Sequence, residues 1–413
     1  MTINEDMRVI AVGDDDQNIY EFRGSNSVYL KSLIKDYGAI QYEMIENYRN
    51  CSSITALANE FAKKITNRMK STPIEAVVKE SGNVKITRHV CSNMEEAVVK
   101  ELLENDKRGK NCILTNTNDE ALRVLGLLLK HGKRAKLIQS LDGFRLYNLL
   151  EVRAFLKILN ERSHSPIISD ETWENAKKIL FDKYGNSTCI DNVKRLVRDF
   201  EITRSIKYRS DFEEFINESK YEDFYDEENQ DFICVSTIHK SKGREFDNVY
   251  MLLKNSNGKT DAECRALYVG MTRAKQNLYI HTNTGLFDKY CTNGIEQVVD
   301  RTEYGEPSEI VLQTTHKDVV LDFFKDKKEI IFNLRSGMKL KYVDTYLEAE
   351  FNGRAIRVVK FSKSFLETLV KLKGKGYMPT SVEVKFVVAW KGKEDEGETP
   401  ILLLEMHLER IGF

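Results

Sequence analysis

The pattern of apolar and polar residues predicts a layered α/β structure over the first part of the chain. Short apolar runs alternate with segments whose apolar residues recur at helical spacing, as in the strand-like Cys112–Leu114 followed by the helix-like Glu120–Lys130. Earlier, Arg8–Val12 is predicted to be a strand, and Ser53–Met69 a helix with Ser53 as its N-cap. This alternation favours a mostly parallel sheet with helices packed on it.

The pattern changes twice in the second half of the chain. Residues 161–231 are helical, polar and rich in charge, and we interpret them as an insertion between two parts of one sheet. Strand character resumes at Phe232–Ser236. Beyond residue 308, apolar and mixed positions alternate, and Asn352-Gly353 lies between two strand-like runs. This pattern predicts a hairpin within a separate, antiparallel, β-rich domain.

Length, composition and charge limit the classes of protein to which the chain can belong. Its 413 residues are too many for one ordinary core, and a hydrophobic content of 41% excludes a disordered chain. Lys plus Arg (63) and Asp plus Glu (64) give a net charge of −1, so contact with DNA or RNA must come from a local groove. Seven single cysteines fit a reducing cytoplasm and predict no bound metal. No apolar run approaches the ~18 residues of a membrane span, so no membrane association is expected.

The segment from Gly13 to Gly24 carries the first candidate chemistry. A strand ending in Gly-Asp-Asp-Asp-Gln places short polar side chains at the carboxyl edge of a parallel sheet, where ligands bind in such folds. Gln17 could sense a terminal phosphate or its attacking water, Phe22 could stack on a base, and Arg23 could hold a phosphate. The three aspartates are also compatible with a metal site or an ordinary acidic turn.

Two further arginines are candidates for a phosphate site. Arg273 follows the strand-like run Tyr268–Thr272, and an arginine fixed there could stabilise charge on a transferring phosphate, an effect of ~10³–10⁵ in rate. Arg49 follows Tyr48 just before the predicted helix. The alternatives are ordinary ones, namely a surface cation for either arginine and a core position for Tyr48.

The segment after the strand Phe232–Ser236 is small and basic. His239 and the lysines around it lie on a turn that suits backbone phosphates, and Glu245 could accept a hydrogen bond from a ribose hydroxyl. A basic loop with a capping histidine is the alternative.

A phosphate-binding loop is missing from the sequence. Gly258-Lys259-Thr260 resembles the end of one, but the glycine required five positions before Gly258 is replaced by Leu253. We also expect this tripeptide to lie outside any strand-to-helix turn.

Taken in order, these segments resemble motifs III to VI of the superfamily 1 helicases of the UvrD/Rep/PcrA type. Residues 13–24 look like motif III, 47–49 like motif IV, 237–246 like motif V and 263–274 like motif VI, with intervening sub-motifs at 113–118 and 141–151. The resemblance covers residues 8 to 285. The tail after residue 308 resembles the end of long bacterial proteins in which a RecQ-like helicase precedes a UvrD-like half.

The resemblance implies a role for each matching residue. Gln17 would sense the γ-phosphate of ATP, and Arg49 and Arg273 would be paired arginine fingers. Tyr48 would stack on adenine, and Glu245 would bind the ribose or phosphate side of the nucleotide. Four residues would contact single-stranded DNA: Phe22 and Arg23, with Asn118 and His239 on its backbone.

The resemblance also implies a domain plan and a reaction. Proteins of this family use ATP and Mg²⁺ to move 3′ to 5′ along single-stranded DNA, with two RecA-like domains that close on each nucleotide. The implied plan is the end of a first RecA-like domain (1–40), a second RecA-like domain (41–160 and 232–290), a short helical insertion (161–231), and a linker with a β-rich accessory domain (291–413).

The chain departs from the family pattern in ways that bear on its function. Motifs I, Ia and II are absent, so the phosphate-loop lysine and the Mg²⁺-holding acid are expected in a missing N-terminal motor domain, and the chain alone is expected to be a monomer without ATPase activity. Phe22 stands where tryptophan is usual, and Cys264 where arginine is usual. The rival interpretation is a non-catalytic, helicase-like scaffold that binds DNA or protein in a repair complex.

Overall fold

The chain is described by a computed structural model that covers residues 8–21, 24–66, 68–80, 82–162, 165–224, 232–290, 294–392 and 397–411. Within these residues no helix is long and apolar enough to cross a membrane. The α-helices of these residues are α1 (Val28–Tyr37), α2 (Ser52–Ala62), α3 (Glu95–Asn105), α4 (Asn118–Lys130), α5 (Leu150–Arg162), α6 (Asp170–Tyr184), α7 (Ile190–Thr203), α8 (Arg209–Glu218), α9 (Asp261–Met271), α10 (Lys328–Ile331) and α11 (Lys363–Gly374).

The strands of the described residues are β1 (Glu46–Asn47), β2 (Glu75–Ala76), β3 (Val84–His89), β4 (Asn111–Thr115), β5 (Ala135–Leu137), β6 (Ile167–Ile168), β7 (Lys207–Tyr208), β8 (Ile233–Thr237), β9 (Phe246–Leu253), β10 (Ala274–Thr282), β11 (Ile295–Asp300), β12 (Glu309–Gln313), β13 (Lys339–Val343), β14 (Tyr346–Phe351), β15 (Arg354–Lys360), β16 (Tyr377–Trp390) and β17 (Thr399–Arg410). The chain divides into two compact units. Unit 1 is Met1–Val124, Lys133–Leu137 and Gln230–Glu306, and unit 2 is Leu125–Gly132, Ile138–Asn229 and Pro307–Phe413.

Unit 1 is built on a seven-stranded sheet in the order β11-β3-β10-β9-β4-β8-β5, and all of its neighbouring strands are parallel. The central strands β4 and β9 are apolar and almost fully buried, as expected for a parallel sheet covered on both faces. The predicted RecA-like α/β fold, with flanking helices, a helical stretch and a β-rich C-terminal part, is confirmed.

The buried His89 and His281, at the carboxyl ends of β3 and β10, form a chain of polar contacts with Asp300 of β11 and Glu101 of α3. His89 Nε2 lies 3.0 Å from His281 Nδ1. The outer nitrogen of His89 lies 3.2 Å from Asp300, and that of His281 lies 3.0 Å from Glu101. Burial, together with the charge of His281, lowers the pKa of His89 to about 4. Because of this lowered pKa, we expect the stability of unit 1 to fall in acid.

Two predicted elements of unit 1 differ from the structure. Arg8–Val12 is not a strand; Ile10 and Val12 are 82% and 83% exposed, so these residues lack the neighbouring strand that buries such a run. The predicted helix over Ser53–Met69 is the shorter α2, and its N-cap is Cys51.

Unit 2 combines helices α5 to α8 with a six-stranded antiparallel sheet in the order β12-β17-β16-β13-β14-β15. The predicted hairpin is present, and Asn352 and Gly353 both have positive φ (51° and 72°) between β14 and β15, as a two-residue hairpin turn requires. The buried residues of the helices and of the sheet form one continuous hydrophobic core. Tyr221, for example, packs edge-on against Phe386 with ring centroids 5.1 Å apart.

The two compact units therefore divide the chain differently from the predicted domain plan. Residues 138–160, which the plan assigned to the second RecA-like domain, belong to unit 2 with the insertion. The strand β11, which the plan assigned to the linker, pairs with β3 in the sheet of unit 1. The reason is packing: the apolar side chains of α5 to α8 are buried in the same core as those of the antiparallel sheet.

Candidate nucleotide and nucleic-acid site

Arg273 follows helix α9 directly and is buried, with only 1% of its surface exposed. Its Nε donates to the carbonyl of Val269 at 3.0 Å, and its Nη1 donates to the carbonyl of Arg244 at 3.2 Å. Its Nη2 donates to Gln17 Oε1 at 3.2 Å. Burial, together with the charge of Arg49, lowers the pKa of Arg273 to about 10, so the guanidinium is still charged at neutral pH. The protein thus holds this cation in one place, beside Gln17.

The element that precedes Arg273 is a helix, so the predicted strand over Tyr268–Thr272 is wrong. Residues 267–271 are all buried, and an apolar run buried on every side does not distinguish a helix from a strand by its period. The start of α9 is fixed by an N-cap, because the Thr260 hydroxyl accepts a hydrogen bond from the backbone N–H of Glu263 at 3.1 Å.

The same helix N-terminus includes the tripeptide Gly258-Lys259-Thr260. It lies between strand β9 and helix α9, so the expectation that it lies outside a strand-to-helix turn is wrong. The backbone N–H groups of Asn257 and Lys259 donate to the Glu263 carboxylate at 2.8 Å and 3.1 Å. An internal carboxylate therefore already occupies the donors that a phosphate would need.

Gln17 ends a short 3₁₀ turn, Asp15–Gln17. Its Nε2 donates to Asp14 Oδ2 at 2.7 Å, and its backbone carbonyl accepts a hydrogen bond from Lys242 Nζ at 2.8 Å. These bonds orient the amide so that its oxygen faces Arg273 and its nitrogen faces Asp14. The side chain is therefore held in a defined orientation at the site.

The three aspartates around Gln17 each have a partner in the segment Arg68-Met69-Lys70. Asp16, which is fully buried, accepts two hydrogen bonds from Arg68, at 2.8 Å and 2.7 Å. Asp15 accepts one from the backbone N–H of Met69 at 2.7 Å, and Asp14 pairs with Lys70 at 2.8 Å. These contacts favour a docked acidic turn over a metal site. Among the described residues, no group of three or more His, Cys, Asp or Glu side chains is arranged to hold a metal ion.

Arg49 and Glu245 form an ion pair, with Nε 2.5 Å from Oε1. Lys275 lies 3.3 Å from the other oxygen of Glu245. Burial raises the pKa of Glu245, but the charge of Arg49 and the hydrogen bonds from Arg49 and Lys275 outweigh it, so the pKa is below its ordinary value. Both partners are about one-third exposed, so the pair lies where a ligand can reach it.

Tyr48 is exposed, with 70% of its surface open to solvent. Its hydroxyl donates to Glu46 Oε2 at 2.5 Å, and this hydrogen bond raises the pKa of Tyr48. The core position considered for Tyr48 is therefore wrong, and its ring is free to stack on a flat ligand.

Two of the nucleotide candidates, Glu245 and Arg273, lie at the amino edge of the parallel sheet. Glu245 immediately precedes β9 and Arg273 immediately precedes β10, and the first residues of these strands, Phe246 and Ala274, pair with each other. The reason is the parallel topology. After β8 the chain must return to the start of β9, and after β9 it must return to the start of β10, so both segments end at the amino edge.

The DNA-binding candidates that the structure describes lie at the opposite edge. Asn118 and His239 follow the ends of the neighbouring strands β4 and β8. Asn118 is exposed, and its Oδ1 accepts a hydrogen bond from Lys240 Nζ at 3.0 Å. His239 is partly buried, and its carbonyl accepts a hydrogen bond from the Tyr20 hydroxyl at 2.8 Å. The two other candidates, Phe22 and Arg23, lie outside the described residues.

Sequence reasoning missed Asn50 and Arg68 as parts of this site. Asn50 is 1% exposed and donates to the carbonyls of Thr272 and Ala274, and Arg68 neutralises Asp16. Each depends on a contact between distant parts of the chain. The position of Asn50 directly after Arg49 was the one local signal that could have suggested its role.

Comparison with known proteins shows a similarity to helicases. Residues 164–285 match the family model of the UvrD-like helicase C-terminal domain. Relatives include the YjcD protein of Bacillus subtilis (strain 168), 26% identical over 68% of this chain and 48% of the relative. DNA helicase II of Rickettsia typhi is 23% identical over 66% of this chain and 56% of the relative. The ATP-dependent DNA helicase Rep of Buchnera aphidicola subsp. Acyrthosiphon pisum is 23% identical over 77% of this chain and 64% of the relative.

These matches span about half to two-thirds of the length of the relatives. One solved structure that aligns with this chain is the C-terminal domain of a possible DNA helicase from Lactobacillus plantarum WCFS1. The alignment covers 61% of this chain and 98% of that structure at 16% sequence identity. Its TM-score of 0.30 is too low to support a conclusion about the fold. Residues 164–285 are thus similar to the UvrD-like helicase C-terminal domain, and the relatives named above support a likeness to the C-terminal portion of UvrD/Rep-type superfamily 1 helicases.

Proposed function

We propose that the chain supplies the second motor half of an ATP-dependent DNA helicase or translocase. One observation carries this proposal: a buried, charged Arg273 is hydrogen-bonded to Gln17, and the Arg49–Glu245 ion pair adjoins them. A surface cation has no reason to be buried beside a second arginine, because burial and like charge both disfavour it. The printed names of DNA helicase II and of the ATP-dependent DNA helicase Rep support the same activity.

The residues present fit a nucleotide triphosphate. Two guanidinium groups would stabilise charge that develops on a transferring phosphate, and such groups are worth ~10³–10⁵ in rate. Gln17, with its oriented amide, would contact the terminal phosphate or its attacking water. The exposed ring of Tyr48 would stack on adenine, and the Glu245 carboxylate would accept a hydrogen bond from a ribose hydroxyl. ATP would supply the phosphoryl group, and Mg²⁺ would neutralise its charge.

The Arg49–Glu245 ion pair suggests how the site changes when a nucleotide binds. Arg49 is held by the Glu245 carboxylate, and a phosphate oxygen would compete for the same guanidinium. Lys275 would remain as the counter-ion of Glu245 when Arg49 moves. Glu245 would thus keep a charge partner in both states.

The opposite sheet edge would contact single-stranded DNA. Asn118 and Lys240 form an exposed polar pair beside His239, and Phe22 and Arg23 are the expected stacking and phosphate residues. With a net charge of −1, the chain would bind DNA through this local groove and not through a general electrostatic attraction.

A partner motor lobe would complete the nucleotide site. Helix α1 has no buried residue, and Ile10, Val12 and Tyr42 are each more than three-quarters exposed. An apolar surface of this kind is typical of an interaction site. We propose that a lobe carrying the phosphate-binding loop and the Mg²⁺-holding acid covers it, and that the chain without this lobe does not hydrolyse ATP.

The proposal is tested in a protein that contains this chain together with such a lobe. Arg273→Ala should lower ATP turnover by about 10³-fold or more and leave single-stranded DNA binding unchanged, because its guanidinium would act on the phosphate. Arg88→Ala is the matched control, since Arg88 is exposed and pairs with Asp288 on the surface of the same unit. Unchanged turnover in Arg273→Ala would refute the role of Arg273 as an arginine finger, whereas DNA binding without any ATP turnover in the unaltered protein would support the scaffold. Steady phosphate release by the purified chain alone would contradict the need for a second lobe.

A further inference from the structure

The side chain of Asn50 connects the two arginines of the candidate site. Its Nδ2 donates to the carbonyls of Thr272 and Ala274, at 3.1 Å and 2.6 Å, so it bonds to the backbone on both sides of Arg273. Along the chain, Asn50 directly follows Arg49. Segments more than 220 residues apart in sequence are thus joined by a single buried amide.

Asn47 completes the connection on the Arg49 side. Its Oδ1 accepts hydrogen bonds from the backbone N–H groups of Arg49 and Asn50, at 2.9 Å and 3.0 Å. Its Nδ2 donates to Asn50 Oδ1 at 2.8 Å. The two asparagines therefore fix the backbone at Arg49 and, through Asn50, the backbone at Arg273.

We propose that Asn50 is a positioning residue that sets the relative placement of Arg49 and Arg273. It touches neither guanidinium and acts only through the backbone that carries them. The expected effect of Asn50 on catalysis rests on the proposed function. Its effect on the placement of Arg273 can be tested without a nucleotide.

The chemistry of the site explains why an amide is needed. Two carbonyl oxygens face the same buried position, and a side-chain amide is the neutral group that offers two hydrogens from one nitrogen. Serine at position 50 offers one donor, and alanine offers none, which leaves two buried carbonyls without this partner. Aspartate would place an oxygen against both carbonyls. We therefore expect the order Asn, then Ser, then Ala in how firmly Arg273 is held.

The geometric test uses phenylglyoxal, which modifies accessible guanidinium groups, with mass spectrometry to follow each arginine in the purified chain. Arg273 is 1% exposed and should react slowly in the unaltered protein. In Asn50→Ala its modification should be about tenfold faster, because two hydrogen bonds of ordinary strength no longer oppose opening of the segment. Asn50→Ser should give an intermediate rate. The exposed Arg88 serves as the internal reference.

Asn248→Ala is the matched control. Asn248 is also fully buried in unit 1, and its Nδ2 also donates to two acceptors, the carbonyl of Arg108 at 3.0 Å and Asn111 Oδ1 at 3.1 Å. This variant should be destabilised to a similar extent but leave the rate at Arg273 unchanged. If Asn50→Ala does not fold, Asn50→Ser provides the comparison. Equal Arg273 rates in the Asn50 variants and in Asn248→Ala would overturn the proposal.

A second measurement separates this inference from the proposed function. In a protein with both motor lobes, Asn50→Ala should lower kcat by about 10²-fold with little change in KM for ATP, because a displaced arginine loses contact in the transition state. If Arg273→Ala lowers turnover but Asn50→Ala behaves like Asn248→Ala, the positioning role fails and the proposed function stands. If Arg273→Ala leaves turnover unchanged, the proposed function fails, and the modification rates alone then decide the role of Asn50.

Discussion

Replacing Arg68 with alanine is expected to destabilise unit 1 and loosen Gln17. Asp16 is fully buried and accepts two hydrogen bonds from the Arg68 guanidinium, at 2.8 Å and 2.7 Å. Removing one member of a buried ion pair costs ~3–5 kcal/mol, because the other charge stays buried without compensation. The Arg68 side chain is 20% exposed, so water can partly replace it, and we expect a loss of about 3 kcal/mol.

Urea unfolding followed by far-ultraviolet circular dichroism measures this loss. Tryptophan fluorescence does not suffice, because both tryptophans, Trp173 and Trp390, lie in unit 2. The exposed pair Arg88–Asp288 in the same unit is the control, and Arg88→Ala should cost at most about 1 kcal/mol.

A double-mutant cycle provides the refutation. Asp16→Asn removes the buried charge, so Arg68→Ala should cost much less in that background, with a coupling energy of about 1.5–3 kcal/mol. If the losses of unfolding free energy in the two single variants simply add in the double variant, Arg68 does not compensate the charge of Asp16. The docking of the acidic turn that ends at Gln17 then needs another explanation.

Three other predictions concern acidity, helix capping and packing. Lowering the pH from 7 to 5 should reduce the unfolding free energy by about 2 kcal/mol through His89, because its folded pKa of about 4 lies below the ordinary 6.5, so that in this range the unfolded chain takes up a proton that the folded protein does not; urea titrations should show a smaller loss in His89→Gln, and an equal loss would exclude this cause. Glu263→Ala should destabilise unit 1 by about 1 kcal/mol in the same assay, since it removes the carboxylate that accepts hydrogen bonds from the backbone N–H groups of Asn257 and Lys259 just before α9, whereas an unchanged midpoint would mean that the Thr260 cap is sufficient. Gly82→Ala should destabilise by about 1–3 kcal/mol, because its methyl group would lie 1.7 Å from the carbonyl oxygen of Gln276; wild-type stability would show that the backbone moves aside.

The sequence was most informative where local chemistry decides the structure. Asn352-Gly353 predicted a hairpin because both residues tolerate positive φ, and the turn has that geometry. The β4 and α4 segments were recognisable from a buried run followed by helical spacing. The run over Tyr268–Thr272 was misread, because all of its neighbours are buried and no polar residue marks a period.

The candidate site was predictable as a set of residues but not as a geometry. The order of the motifs identified Gln17, Arg49 and Arg273, and the structure brings Gln17 into contact with Arg273. The contacts of Asn50 and of Arg68 join positions that are separated along the chain by other elements. No local pattern encodes such a contact, since it depends on how distant segments pack.

The shared core of unit 2 has a practical consequence for shortening the protein. Residues 138–229 and 307–413 contribute apolar side chains to one interior, although residues 230–306 of unit 1 lie between them in the chain. Removing the last hundred residues would therefore uncover the helices as well as delete the strands. Such a truncated protein should aggregate, and a loss of activity in it would say nothing about what the strands themselves bind.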